Sequence, residues 1–215
     1  VKEVHAQARA YGVSITVLLT AVMLCAIHEE VPKNRQNKPI TLMVPVNLRN
    51  YFPSQSMGNF FGWIEAGHVF TDATTIEEVV RHVGEQFERE LVKERIAVRM
   101  NDYVRLEKNP LLRAVPLEIK KGFLMLGANL GSRCITAVYS NIGRICLPEQ
   151  YGDYIRHFGL FTSTNVLQLC SCSYGDKMVL GFTSKLPDDR IPRNFQRILK
   201  GHEIKSREIR EGFPV

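Results

Sequence analysis

Apolar positions along the chain mark its elements before any chemistry is considered. Val4, Ala8 and Tyr11 fall on one helical face of Val1–Tyr11, and Gly12 ends that run. Ser14 is a good N-cap. Leu18, Leu19, Val22, Met23, Ala26 and Ile27 follow it at intervals of one and three, which predicts a second helix, buried against a sheet. After a polar, proline-containing link from His28 to Lys38, Ile40–Leu48 reads as a strand. Tyr51–Met57 supplies turn chemistry, and Gly58 opens a second apolar-aromatic run through Phe70, so the two runs predict a hairpin. Thr75 and Glu78 form a capping-box pair. Behind them Ile76, Val79, Val80, Val83, Phe87 and Leu91 line one face of a surface helix, with Glu77, Arg81, Glu85, Glu88 and Arg89 on the other. The helical pattern continues unevenly toward Met100. Asn109-Pro110 or Val115-Pro116 then starts another helix, carrying Leu117, Ile119, Phe123, Leu124 and Leu126.

From Arg133 the period changes. Cys134–Tyr139 reads as a strand, Ser140-Asn141-Ile142-Gly143 as a turn, and Arg144–Leu147 as extended chain before a short helical patch at Glu149–His157. Thr164–Ser173 and Lys177–Ser184 make a hairpin through Tyr174-Gly175-Asp176, and Asp188–Leu199 reads as a helix before an extended tail. Hairpins and helices in this irregular order predict an α+β fold, a mixed β-sheet backed by helices.

Composition narrows the class without changing that picture. A chain of 215 residues, 45% apolar and 23% charged, can bury one sizeable core or two small ones, and nothing in it predicts disorder. The formal charge of +6 is concentrated near the C-terminus: between Arg190 and Arg210 seven Lys or Arg stand against two Asp or Glu. This segment lacks the series of aromatic residues that a single-strand platform requires, so it reads as a solvated helix and tail, with no nucleic-acid partner. The apolar run Ile15–Ile27 is too short to span a bilayer and is interrupted by Thr16 and Thr20, so no membrane partner is expected. Five cysteines, Cys25, Cys134, Cys146, Cys170 and Cys172, lie in apolar runs without a Cys-x-x-Cys pair. They read as reduced core residues of a cytoplasmic protein, and they lack the second pair that a zinc site needs. The chain opens at Val1, already inside a helix, which predicts a piece of a longer protein.

Val44-Pro45-Val46-Asn47-Leu48-Arg49, followed by Met57-Gly58-Asn59-Phe60, resembles a strand pair in the second half of the chloramphenicol acetyltransferase-like acyltransferases. That superfamily includes alcohol acetyltransferases, wax ester synthases and peptide-synthetase condensation domains. Ala8-Arg9-Ala10-Tyr11-Gly12-Val13-Ser14 resembles the helix with which their second domain begins. The similarity runs to about residue 205, which leaves 206–215 as a basic tail. It implies one half of the two-domain CoA-dependent acyltransferase fold, with a substrate tunnel between the halves. The implied activity is transfer of an acyl group from a coenzyme A or carrier-protein thioester to a small-molecule alcohol or amine. No bound cofactor is expected, since the acyl thioester is a co-substrate. The implied partner is a missing N-terminal half, and the face that docks it, left exposed, predicts self-association. The alternative is a non-catalytic ligand-binding or interaction domain of the same fold.

Chemistry in that superfamily, by the same resemblance, rests on a histidine in a His-His-x-x-x-Asp-Gly motif of the first half. His68-Val69-Phe70-Thr71-Asp72 reproduces its core, but Gly67 replaces the first histidine, Ala73 replaces the glycine, and the segment follows the Arg49 strand instead of preceding it. His68 therefore reads as a decoy, and this chain carries no catalytic residue. Arg49 ends an apolar strand. Either it is a solvated strand end, or it is a buried cation awaiting a carboxylate whose loss would cost roughly 3–5 kcal/mol. The resemblance implies the second role, pairing with the Asp of the absent motif. Ser140-Asn141-Ile142-Gly143 resembles a tunnel-side turn of the family, which implies substrate contact at Ser140 and Asn141; the other reading of Asn141 is a turn residue with left-handed backbone. There is no nucleophile elbow, Walker loop or dinucleotide fingerprint.

Overall fold

The computed structural model describes residues 1–122, 125, 134–152, 154–162, 164–185 and 187–207. Five strands form one sheet in the order β2-β1-β3-β4-β5. β1 (Ile40–Asn47) pairs antiparallel with β2 (Phe61–His68) and parallel with β3 (Ala137–Arg144). β4 (Leu167–Tyr174) pairs parallel with β3 and antiparallel with β5 (Lys177–Thr183). The mixed sheet and its helices are the predicted α+β architecture.

One face of the sheet is packed by helices. α1 (Lys2–Ala10) leads into α2 (Ile15–His28), whose N-cap Ser14 accepts a hydrogen bond from the Val17 amide at 3.2 Å. α2 is the central helix: Val17–Leu24, Ala26 and Ile27 are all buried, because it packs against α3, α7 and β1 at once. Full burial of each leucine there contributes about 1.5–3 kcal/mol. Thr20, inside this apolar surround, donates its hydroxyl to the Thr16 carbonyl at 2.7 Å, so the polar atom is satisfied. α3 (Ile76–Glu90) starts at Thr75, whose hydroxyl accepts from the Glu78 amide, and buries Val79, Val80, Val83 and Phe87 as its pattern predicts. α4 (Lys93–Lys108), α5 (Pro110–Ala114) and helical residues 117–122 (α6) follow. α7 (Arg190–Gly201) buries Ile191, Phe195 and Leu199 on one stripe. Its outer face is tied to the end of α2: Arg190 pairs with Glu30 at 2.8 Å and Arg197 with Glu29. The helical part of the basic segment thus carries arginines that meet carboxylates. No single helix among the described residues is long and apolar enough to cross a membrane.

The opposite face of the sheet is partly covered by extended chain. Thr162 accepts from the Gln168 amide and its carbonyl accepts from the Thr183 hydroxyl, while Cys172 donates to the Phe158 carbonyl at 3.4 Å. Residues 158–162 therefore run as a strap over β4 and β5. The strap approaches so closely because position 181 has no side chain: a Cβ on Gly181 would lie 2.5 Å from the Leu160 carbonyl oxygen and 2.9 Å from the Phe161 ring. Gly181→Ala is expected to lower stability by about 1–3 kcal/mol, the usual cost of overpacking. Urea titration checks this, and an unchanged midpoint would contradict the close approach.

Several boundaries differ from the sequence reading. The predicted turn at Ser140–Gly143 lies inside β3, where the pairing with β4 shifts between Asn141 and Gly143; Gly143, at φ +82°, supplies the left-handed backbone for a bulge instead of a chain reversal. β3 begins at Ala137 and β4 at Leu167, three residues later than expected in each case. α4 continues past Met100 to Lys108, and the patch at Glu149–His157 is helical only as a 3-10 turn over Glu149–Tyr151. Phe123, Leu124, Leu126 and the tail from 208 lie outside the described residues.

Candidate functional site

Side-chain alternation decides which residues face away from the helices. On β1 and β2, Leu42, Val44, Ile64, Ala66 and His68 are buried toward the helices, so Met43, Pro45, Phe61, Trp63 and Glu65 point the other way. The pairing of Met43 with Val138 carries the same face onto β3, where Val138 is itself covered, and Ser140, half-buried, follows it on that side. Carrying this register forward sets Ser140 level with Pro45. Both lie toward the carboxyl end of the parallel strands, where Arg49 also stands. The open face is therefore mixed, with Met43, Pro45, Phe61 and Trp63 beside the Glu65 carboxylate and the Ser140 hydroxyl, and an arginine at one end. Phe61, 54% exposed, shows how little covers its β2 margin.

Arg49 sits on the 3-10 turn Leu48–Asn50 that ends β1. It is exposed in this chain. It is not loose, however. Its Nη2 donates to the carbonyls of Ser56 at 2.6 Å and Gly58 at 3.0 Å, and its guanidinium lies over the Phe60 ring, 5.8 Å from the centroid. The arginine thus folds the β1–β2 connection back on itself. The Asn47 side chain, accepting from the Arg49 amide at 3.1 Å, fixes the start of the turn.

Ser140 and Asn141 are neighbours on a strand and so point to opposite faces. Asn141 faces the helices: its amide donates to Thr16 Oγ1 at 3.0 Å and its carbonyl accepts from the Gly143 amide at 2.9 Å. It ties the bulge to the first turn of α2. Between them Tyr139 is fully buried, its hydroxyl 2.9 Å from Ser171 Oγ, and burial pushes its pKa well above the usual phenol range. Arg49 and Ser140 thus border the open face, whereas Asn141 does not.

His68 is buried on the helix side, 5% exposed, with its ring against Phe70 and its Nδ1 2.9 Å from His82 Nδ1. Burial first, and then the neighbouring His82, holds its pKa below the ordinary imidazole value. The ring is thus turned into the core, away from the open face. Sequence reasoning did not bring His28, His68 and His82 together. Their spacing follows no helical or strand period, because they come from three different elements. Among the described residues no group of three or more His, Cys, Asp or Glu is placed to hold a metal.

A family model described as phthiocerol/phthiodiolone dimycocerosyl transferase C-terminus matches residues 2–150. Among solved structures, polyketide synthase associated protein 5 from Mycobacterium tuberculosis has a TM-score of 0.57 at 11% identity, covering 92% of this chain and 47% of that one. The wax ester synthase/diacylglycerol acyltransferase from Marinobacter aquaeolei VT8 has a TM-score of 0.50 at 15% identity, over 94% of this chain and 47% of that one. The first condensation domain of the calcium-dependent antibiotic synthetase has 0.52 at 14% identity, over 95% and 42%. At such identities the likeness is one of fold, and the chain spans about half the length of the solved relatives it matches. No curated protein matches the chain.

Proposed function

The chain belongs to the phthiocerol/phthiodiolone dimycocerosyl transferase C-terminus family, and from that membership we propose that it is the C-terminal half of an acyltransferase. The complete protein moves an acyl group from a coenzyme A or carrier-protein thioester to an alcohol or amine. The observation that carries this reading is the open face of the sheet. Met43 and Trp63, both half-buried, offer an apolar wall suited to an acyl chain, Ser140 adds a hydroxyl, and the strand histidine, His68, is turned to the other side. The general base then comes from polypeptide outside this chain.

Arg49 is the link between halves in this proposal. Both of its bonds within the β1–β2 connection come from Nη2, which leaves Nε and Nη1 to meet a carboxylate from the other half. Ser140 contacts substrate from the sheet side, and Asn141 acts behind it by holding the bulge that sets the direction of Ser140.

The test is an acyl-transfer assay that follows free thiol release from acyl-CoA donors. The 215-residue chain alone is expected to give no turnover, and the full-length gene product to be active. Arg49→Ala in the full-length protein is expected to lower kcat/KM by about a hundredfold, the cost of misplacing a catalytic group by an ångström or so. Turnover by the isolated chain that disappears in His68→Ala would overturn the assignment of the base to the other half. A full-length protein inert toward every thioester donor would overturn the acyl-transfer reading itself.

A further inference from the structure

Gln86, His82 and His68 form a hydrogen-bond chain whose direction is set by the backbone. The Gly67 amide, which only donates, bonds Gln86 Oε1 at 2.9 Å, and Gln86 Nε2 donates back to the Gly67 carbonyl at 2.8 Å. The Gln86 carboxamide is thereby oriented, and its second N–H meets His82 Nε2 at 3.0 Å. His82 Nε2 must accept, so a neutral His82 carries its proton on Nδ1. That Nδ1–H donates to His68 Nδ1 at 2.9 Å, so His68 carries its own proton on Nε2. Gln86 and His82 lie on α3, and Gly67 and His68 on β2, the edge strand of the sheet. The chain fastens that edge to the helix layer.

We propose that this relay is a proton-sensitive clasp: the His82–His68 bond joins β2 to α3 beside the Gln86–Gly67 pair while both imidazoles are neutral, and one added proton breaks that bond or the Gln86–His82 bond next to it. A proton on His82 Nε2 faces the Gln86 N–H, and a proton on His68 Nδ1 faces the His82 N–H. Either way two donors meet and a link is lost. The surroundings give the added proton little compensation. Phe70 stands edge-on to His68 and is stacked on His28 with centroids 4.2 Å apart, and His28 Nδ1 is itself buried without a hydrogen-bond partner. The charged groups facing the cluster are Glu78 on α3, Glu29 beyond the end of α2 and Asp72 after β2. They favour protonation, but burial outweighs them, and His68 and His28 both titrate below 6.5. The fold prefers the neutral His68 ring, so the clasp is closed at neutral pH and weakens as the pH falls below the ordinary imidazole range. Opening loosens the strand that presents Phe61, Trp63 and Glu65.

The test uses the 215-residue chain and two readouts. Long-range proton–nitrogen spectra are expected to show His82 as the Nδ1–H tautomer and His68 as the Nε2–H tautomer. Amide exchange is expected to show the Gly67 protection factor falling by roughly tenfold or more between about pH 7.5 and about pH 5.5, with Leu169 at the centre of the sheet unchanged. In the double variant His68→Gln/His82→Asn, which leaves no imidazole in the relay, the pH step at Gly67 is expected to vanish. An Nε2–H tautomer at His82, or Gly67 protection that ignores pH in the unaltered chain, would overturn the clasp. Both are read without the variant, so its failure to fold would not rescue the idea.

Discussion

Phe195→Ala is expected to destabilise the protein by about 3–5 kcal/mol, the upper range for loss of a core side chain. Phe195 is 1% exposed in the middle of the buried stripe of α7, four residues from both Ile191 and Leu199. Its ring meets the Phe182 ring of β5 edge-to-face, with centroids 5.2 Å apart, and α7 packs directly on α2. The size of the loss depends on whether neighbours can close the gap, and here they are held. Arg190–Glu30, Arg197–Glu29 and the 2.8 Å bond from Asn194 to Glu30 fix α7 against the end of α2. α2 is in turn clasped by α3 and the sheet, so the cavity stays open. Phe195→Leu keeps much of the volume and is expected to lose less than half as much. Denaturant titration with an unchanged slope measures both, and a Phe195→Ala loss below about 1 kcal/mol would mean that α7 is not a core helix.

α1, α3 and α7 were legible because each buries one repeating stripe, and α2 because it buries almost everything, whereas α4 buries only Ile96 among its described side chains and left no clear pattern. Val79, Val80, Val83 and Phe87 on α3 are buried as their spacing demands. The sheet was less legible where one residue type serves two backbone geometries. Asn141-Ile142-Gly143 has turn chemistry, and Gly143 does take a positive φ, yet the chain spends it on a bulge within β3 because β4 pairs on beyond it. No local pattern separates those outcomes, since the partner strand begins more than twenty residues later.

Legibility of the candidate site splits in the same way. Arg49 stood out as a lone cation at a strand end, but its partners are the carbonyls of Ser56 and Gly58, and main-chain acceptors leave no mark in a side-chain pattern. The basic run from Arg190 looked unbalanced because Glu29 and Glu30, which neutralise Arg197 and Arg190, lie at the far end of the chain. Which of Ser140 and Asn141 faces the helices became readable only once they lay on a strand.

The cysteines carry the other large prediction, and it starts from a correction: Cys134 and Cys146 are exposed, not core residues as their apolar runs suggested. All five described cysteines are free; Cys134 and Cys146 are exposed, Cys170 and Cys172 are buried, and Cys25 is half-buried on α2. Exposure alone would leave Cys25 open to reagents, but its thiol is pushed up from 9.0 to about 12, by burial first and then by the charges of Glu29 and Glu77. The thiolate is the reacting form, so at about pH 8 its population at Cys25 is lower by roughly a thousandfold than in an ordinary thiol. Burial also pushes Cys172 up. A chromogenic disulfide reagent is therefore expected to titrate two cysteines in the folded chain and all five once it is unfolded, with mass mapping assigning the fast pair to Cys134 and Cys146. A third fast equivalent assigned to Cys25 would mean that the end of α2 opens readily and that α7, fastened there through Glu29 and Glu30, does not stay docked.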